Sequence, residues 1–349
     1  MNPNKTDFPF LRGANFGFLA PRGYYDSALA EERLNAMRDA GVRWVSLMVC
    51  IMQDTFASTR VYADYQLTPA DDELARVIEK IHARGMEVLL KPAIECWDSA
   101  WRGRIRFPDG DQQIQGIRVD YWGQWFESKT RAMVHYASLA ERLGVKGFTA
   151  GQELDATEYQ HAHWLRLIAA VRGVFSGWVT YNTTTGGALH ALKSDRAKWF
   201  PACDALGMSY YPTGIEAQEP AFDELVEFMR RDIPTLREVS QKLGLKIYWA
   251  ECGCRSARGA ARVPYDYACD WPYDGETQAR YFEAMLAAFW DEPWWSGFQY
   301  WKWDEHQVRP QYAQAGGDAG FTIQGKPAEA VMLAWSRKPH SQSKHPQTP

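Results

Sequence analysis

The sequence has no run approaching the roughly 18 apolar residues needed to span a bilayer, no block of like charge, and no paired C-x-x-C spacing among its six cysteines. The first absence argues against a membrane partner. With 39 basic and 43 acidic side chains and a formal net charge of -4, the chain lacks the electrostatic footprint of a nucleic-acid or anionic-membrane binder. The missing cysteine pairs exclude a zinc ribbon, and six cysteines in 349 residues are too sparse for a disulfide scaffold, so reduced thiols are expected. No G-x-G-x-x-G follows any strand candidate, which argues against a dinucleotide site. His161 and His163 lie two apart on a helix, hence on different faces, with no carboxylate trio beside them. No metal and no organic cofactor are expected. The start, M-N-P-N-K-T-D-F-P-F, lacks the basic residues and apolar run of a secretory leader. As written the chain is expected to be cytoplasmic, or secreted if a leader has been removed, and to act as a monomer.

Aromatic residues are plentiful. Sixteen tryptophans and 17 tyrosines exceed what filling a core requires, because each brings an N–H or O–H that must find a partner when buried. Many are expected to face a ligand.

Hydrophobic periodicity alternates between short β-rich runs and longer helical stretches along the chain. Strands are predicted at 11–18, 42–49, 87–94, 145–150, 178–182, 205–210, 246–250 and 297–301. Helices are predicted from about Ser27 to Gly41, from Thr68 to Gly85, at 122–143, 157–172, 188–199 and 276–290, through a long region broken at Pro234, and at 327–336. In the second helix Thr68 is placed as the cap, Pro69 at the first position and Asp71 as the capping-box acid, with Leu74, Val77, Ile78 and Ile81 as the buried stripe. About eight βα units without a domain break predict an α/β fold, a single (β/α)8 TIM barrel over residues 1–336. The polar tail 337–349 is expected to be disordered.

In such a barrel, function is read at the C-terminal ends of the strands. Strand four runs into F-T-A-G-Q-E-L, placing Glu153 just past it, and strand seven runs K-I-Y-W-A-E-C-G, placing Glu251 just past it. Two carboxylates opening on one mouth raise each other's pKa. Paired acids are what glycoside hydrolysis requires: a neutral carboxyl to protonate the leaving oxygen and an anion to attack the anomeric carbon. Other strand ends deliver Lys91, Asn182, Tyr210 and Tyr211, and Trp301 and Trp303, with Trp101 and Arg102 on the loop after strand three. Flat aromatic faces stack on sugar rings, and amides bond sugar hydroxyls. Strand alternation lets only one of Tyr210 and Tyr211 face the mouth, and Tyr211 is favoured; of Trp301 and Trp303, one is expected to face the mouth and the other to be core. Read by residue type alone, either glutamate could instead be a rim ion pair, Lys91 a buried ion-pair partner, and Trp101 and Arg102 packing residues.

The segments R-G-A-N-F-G-F near Gly13, M-Q-D-T-F-A-S-T near Gln53, L-L-K-P at Leu89, W-R-G-R-I at Trp101, G-Q-E-L at Gly151, S-Y-Y-P at Ser209, E-C-G-C-R-S-A-R-G-A-A at Glu251 and W-K-W-D at Trp301 occur in one order. Together they resemble glycoside hydrolase family 113, from about Phe10 to Trp335. The resemblance implies a clan-A (β/α)8 barrel and a retaining β-1,4-mannanase, with Glu153 as acid/base, Glu251 as nucleophile, Tyr211 as the hydrogen-bond donor that keeps the nucleophile ionised, and Trp301 as the floor of the cleavage subsite. Gln152 stands where many clan members carry an asparagine that contacts the sugar 2-hydroxyl. The expected partner is an oligo- or polysaccharide. The competing readings are the same machinery on a gluco- or xylo-type glycan, an exo-acting β-mannosidase, and a carbohydrate-binding barrel without catalysis.

Overall fold

In the computed structural model, which describes residues 8–340, eight parallel strands pair edge to edge until the last meets the first. They are β1 (Leu11–Phe16), β2 (Trp44–Gln53), β3 (Glu87–Cys96), β4 (Gly147–Gln152), β5 (Trp178–Thr184), β6 (Ala205–Tyr210), β7 (Lys246–Cys252) and β8 (Trp295–Tyr300). The ring closes through Leu11 against Gly297 and Ala14 against Tyr300. Helices cover the outside and side chains fill the inside, so both faces of each strand are buried, all ten residues of β2 among them. That is why the strands read as nearly continuous apolar runs. The single (β/α)8 barrel expected from the sequence is the fold observed.

The helices are α1 (Ala28–Asp39), α2 (Asp71–His82), α3 (Tyr121–Arg142), α4 (His161–Arg172), α5 (Thr185–Lys193), α6 (Phe222–Arg230), α7 (Ile233–Leu243), α8 (Gly275–Phe289) and α9 (Pro327–Ser336). α2 buries Leu74, Val77, Ile78 and Ile81 as its spacing predicts, but its cap differs. Glu73, not Asp71, closes the first turn, accepting from the Ala70 N–H at 3.4 Å and from Gly23 and Tyr25 of the β1–α1 connection. The Thr68 hydroxyl is occupied elsewhere, donating to the Cys50 carbonyl at 2.7 Å and accepting from the Asp64 N–H. The helical region around Pro234 is two helices that break at Arg231 and Asp232, with Pro234 in the first turn of α7, where its missing N–H costs nothing.

Three other expectations change. The connection after β3 contains a short hairpin, Gln112–Ile114 with Ile117–Val119, whose turn residues Gln115 and Gly116 both have positive φ. Its strands are three residues each, too short for a period to be read from them. A second small pair, Ala313–Gln314 with Gly317–Asp318, follows β8. The tail is also partly anchored: Arg12 donates to the carbonyls of Ser336 and Lys338, Trp290 Nε1 donates to the Pro339 carbonyl, and the His340 ring stacks on Phe10 with centroids 3.7 Å apart. Of the segments assigned to barrel and tail, 1–7 and 341–349 lie outside the described residues.

The lumen is layered. At the N-terminal end Phe8, Leu11, Trp44, Leu89, Ala205 and Tyr248 pack as an apolar plug. Above it the hydroxyls of Thr149, Thr180 and Tyr248 form a buried chain at 3.2 and 3.0 Å. Above that, toward the C-terminal mouth, the lumen becomes charged.

Candidate active site

Strict alternation along β7 would turn Glu251 out of the lumen, because Tyr248 points in and Trp249 points out to stack on Tyr210. The register of β6 against β7 shifts by one residue between Met208↔Trp249 and Ser209↔Glu251. The inserted residue, Ala250, makes a β-bulge that returns Glu251 to the inside. The same device acts in β4, where the register passes from Thr149↔Thr180 to Gln152↔Asn182, three residues against two. Gly151 then faces Trp164 and Tyr181 outside the barrel, and Gln152 points inward. Both neighbours of β7 pair with it as far as Cys252, so Glu251 sits within the strand and not just past it. Glu153 does lie past its strand. It has φ 47, in the left-handed region that non-glycine residues seldom occupy, and its N–H donates to the Asn182 carbonyl at 2.7 Å.

Glu251 is buried, 4% exposed, and surrounded by donors. Its Oε1 accepts from Lys91 Nζ at 3.0 Å, Gln152 Nε2 at 2.6 Å and Asn182 Nδ2 at 3.5 Å, and its Oε2 from the Tyr211 hydroxyl at 3.5 Å. Burial pushes its pKa up to about 6, and the charge of Glu153 adds to the rise, while Lys91 and Arg102 oppose it. Lys91 is fully buried as well, and burial lowers its pKa against the pull of Glu251. An acceptor-only carboxylate with four donors is ionised at neutral pH.

Glu153 is held from the other side. Its Oε2 accepts from Arg102 at 2.7 Å and from Trp101 Nε1 at 3.2 Å, and among the described residues its Oε1 has no partner. Arg102 is buried and divided between two carboxylates, for it also donates to Glu95 through both Nε and a terminal nitrogen. Glu95, Glu153 and Glu251 together keep the guanidinium firmly protonated despite its burial.

Trp301 is half-buried, its ring 5.0 Å from that of Phe18 and 5.9 Å from Lys91 Nζ, so it lies beside the Glu251 cluster. The Trp301–Lys302 peptide is cis. Lys91, Gln152, Asn182, Tyr211, Trp101, Arg102 and Trp301 are thus brought together around the two glutamates. Tyr210 and Trp303 are not. Tyr210 points away from the lumen, stacked on Trp249 with its hydroxyl on Asp232, and Trp303 is wholly buried with Nε1 on Gln324. Adjacent residues on a strand face opposite sides, which turns Tyr210 away from the lumen; Trp301 and Trp303 follow the end of β8, where strand alternation no longer applies. Two further side chains belong to the cluster and were not singled out from the sequence. Asn15 accepts from Lys91 Nζ at 3.2 Å through its Oδ1. Glu95 shares the inward face of β3 with Lys91, a spacing of four that alternation makes visible.

The model of Glycoside Hydrolase Family 113 matches residues 14–326. The chain belongs to glycoside hydrolase family 113. It is therefore a glycoside hydrolase, and its substrate is a carbohydrate. Among solved structures, a family 113 β-mannanase from Alicyclobacillus acidocaldarius, in complex with ManMIm, is 32% identical over 95% of this chain and 98% of that one, with TM-score 0.81. A family 113 β-1,4-mannanase solved as a complex is 28% identical over 95% of this chain and all of that one, with TM-score 0.82. A family 5 mannosidase from Rhizomucor miehei, at 12% identity and TM-score 0.59, shares the barrel alone. No curated protein matches the sequence.

Proposed function

We propose that the protein is a retaining β-glycoside hydrolase acting on β-1,4-linked mannan or manno-oligosaccharides, with Glu251 as nucleophile and Glu153 as acid/base. The observation that carries this reading is the contrast between the two carboxylates. Three donors anchor Glu251 Oε1 and only one distant hydroxyl faces Oε2, so the anion is fixed in orientation with one oxygen free to attack. Glu153 is anchored through Oε2 and keeps Oε1 free to carry a proton.

In the first step Glu251 Oε2 bonds to the anomeric carbon while Glu153 gives its proton to the departing glycosidic oxygen. The ester formed removes the negative charge of Glu251 from the lumen. In the second step Glu153 takes a proton from water, the hydroxyl attacks the anomeric carbon, and Glu251 leaves as carboxylate. Trp301 supplies a face for the ring being cleaved. The mannan-type substrate is inferred from the two family 113 mannanases to which the chain is similar.

The test is the anomeric configuration of the first product, read by proton NMR, together with Glu251→Ala. Retention is expected, with turnover abolished in the variant and partly restored by azide as a glycosyl azide of inverted configuration. An initially inverted product, or unchanged turnover in Glu251→Ala, overturns the assignment. Release of products from gluco- or xylo-oligosaccharides in preference to manno-oligosaccharides would overturn the substrate.

A further inference from the structure

A general acid beside an arginine poses an electrostatic problem. A guanidinium 2.7 Å from Glu153 favours the ionised carboxylate, whereas the first step needs the protonated one. Arg102 does not give its charge to Glu153 alone. Its Nε and a terminal nitrogen both reach Glu95 Oε1, and Nε also donates to the Ile94 carbonyl, leaving only the other terminal nitrogen for Glu153. The guanidinium is therefore directed mainly at Glu95, whose side chain is 18% exposed beside an arginine side chain 8% exposed.

We propose that Glu95 is a positioning residue that sets the proton affinity of Glu153 through the arginine they share. Glu95 neutralises Arg102, so a proton on Glu153 leaves behind a balanced ion pair and not a lone buried cation. Arg102 keeps its second role as a donor that holds Glu153 Oε2 and aims Oε1. The inference rests on the acid/base reading of Glu153. Other groups acting on Glu153 are Lys91 on β3, Glu251 on β7, Tyr211 after β6 and the Trp101 N–H. None of these shares the guanidinium through two hydrogen bonds, and all remain when Glu95 is changed.

The test compares Glu95→Gln with Arg102→Met in kcat/KM profiles against pH. Two substrates are used: a manno-oligosaccharide, which needs protonation of its leaving oxygen, and 2,4-dinitrophenyl β-mannoside, which does not. On the oligosaccharide Glu95→Gln should move the alkaline limb about one pH unit toward acid, roughly a tenfold loss at a fixed pH above the limb. Arg102→Met should move it the opposite way. On the dinitrophenyl substrate neither limb should follow. Limbs that stay in place while activity falls, or that move in the same direction, mean a purely structural role and overturn the proposal. Thermal unfolding checks that each variant folds, and the Arg102→Met shift decides the matter if Glu95→Gln does not. Glu153→Gln separates the two levels of inference. If it still hydrolyses the oligosaccharide, the acid/base reading fails and this proposal with it. If it keeps only the dinitrophenyl activity and the Glu95→Gln limb is unmoved, this proposal alone fails.

Discussion

Replacing Lys91 by methionine isolates the interaction that keeps Glu251 charged. The two groups are 3.0 Å apart and nearly inaccessible to solvent, with side chains 1% and 6% exposed. Coulomb's law at an effective dielectric of about 20 gives an attraction of about 5 kcal/mol at this separation. Adjacent opposite charges commonly displace a carboxyl pKa by about 1–3 units. In the intact protein the Glu251 pKa is pushed up to about 6 by burial even with Lys91 present. Its folded value is raised, so the nucleophilic anion prevails above about pH 6 and is lost as pH falls through that value. Without the ammonium, the acidic limb of kcat/KM should move to roughly pH 7–9, with activity at pH 7 reduced by about 2- to 100-fold and partly recovered at higher pH. Methionine approximates the length of the lysine stem, and Asn15 Oδ1 loses a donor, so some stability should be lost too. That loss lowers the amount of folded protein but does not displace a limb. The assay is initial rate against pH on manno-oligosaccharides at substrate concentrations well below KM. An acidic limb that stays near pH 6 in Lys91→Met would refute the claim that Lys91 maintains the anion.

Lys129 is a second buried ammonium with one acceptor, the Ala150 carbonyl at 2.8 Å, and burial brings its pKa down to about 7. The unfolded chain therefore binds more protons than the folded one between about pH 7 and 10, and stability should rise with pH across that window. Chemical denaturation of the protein and of Lys129→Met at pH 7 and pH 10 should show the difference moving in favour of the native lysine by roughly 3 kcal/mol; a constant difference would mean Lys129 is charged in the fold throughout. Gly297 has φ +93 at the β1–β8 seam, and a methyl group there would lie 1.9 Å from the Leu11 carbonyl oxygen. Gly297→Ala should cost about 3 kcal/mol or more and yield little soluble protein, whereas a melting point near that of the native chain would show the seam can shift.

The barrel was legible because its strands and helices carry different periods, and because Gly41, Gly85 and Gly144, each with positive φ, mark where helices turn back toward strands. Element ends were less legible. Sheet pairing carries β2 to Gln53 and β3 to Cys96, past the predicted ends at 49 and 94. The site was legible in part. Lys91, Asn182 and Tyr211 follow from strand ends and alternation, and Trp301 from its strand end together with the family resemblance. Gln152 and Glu251 enter the lumen through bulges at Gly151 and Ala250, and counting by twos from Tyr248 gives the wrong face for Glu251. Such an insertion has no signature in residue type, and Glu251 was singled out by its place at the end of the seventh strand, not by the side to which strict periodicity would turn it. The short hairpin at 112–119 and the Glu73 cap were hidden for a different reason, since each depends on partners distant along the chain or on backbone angles that several residues can adopt.

Seven of the eight joins in the ring connect strands that are neighbours in sequence; the eighth unites the first strand with the last. Arg12 reaches past that join to the Ser336 and Lys338 carbonyls, and His340 lies on Phe10 with its ring nitrogen at the Trp290 carbonyl. The final turn and the residues beyond it thus work as a clasp. Trimming the chain at Ser336, where its composition invites a truncation, would remove the Lys338, Pro339 and His340 contacts and leave the join to its backbone pairing, the Asn15 amide on the Gln299 and Tyr300 carbonyls and the Phe10–Trp295 contact.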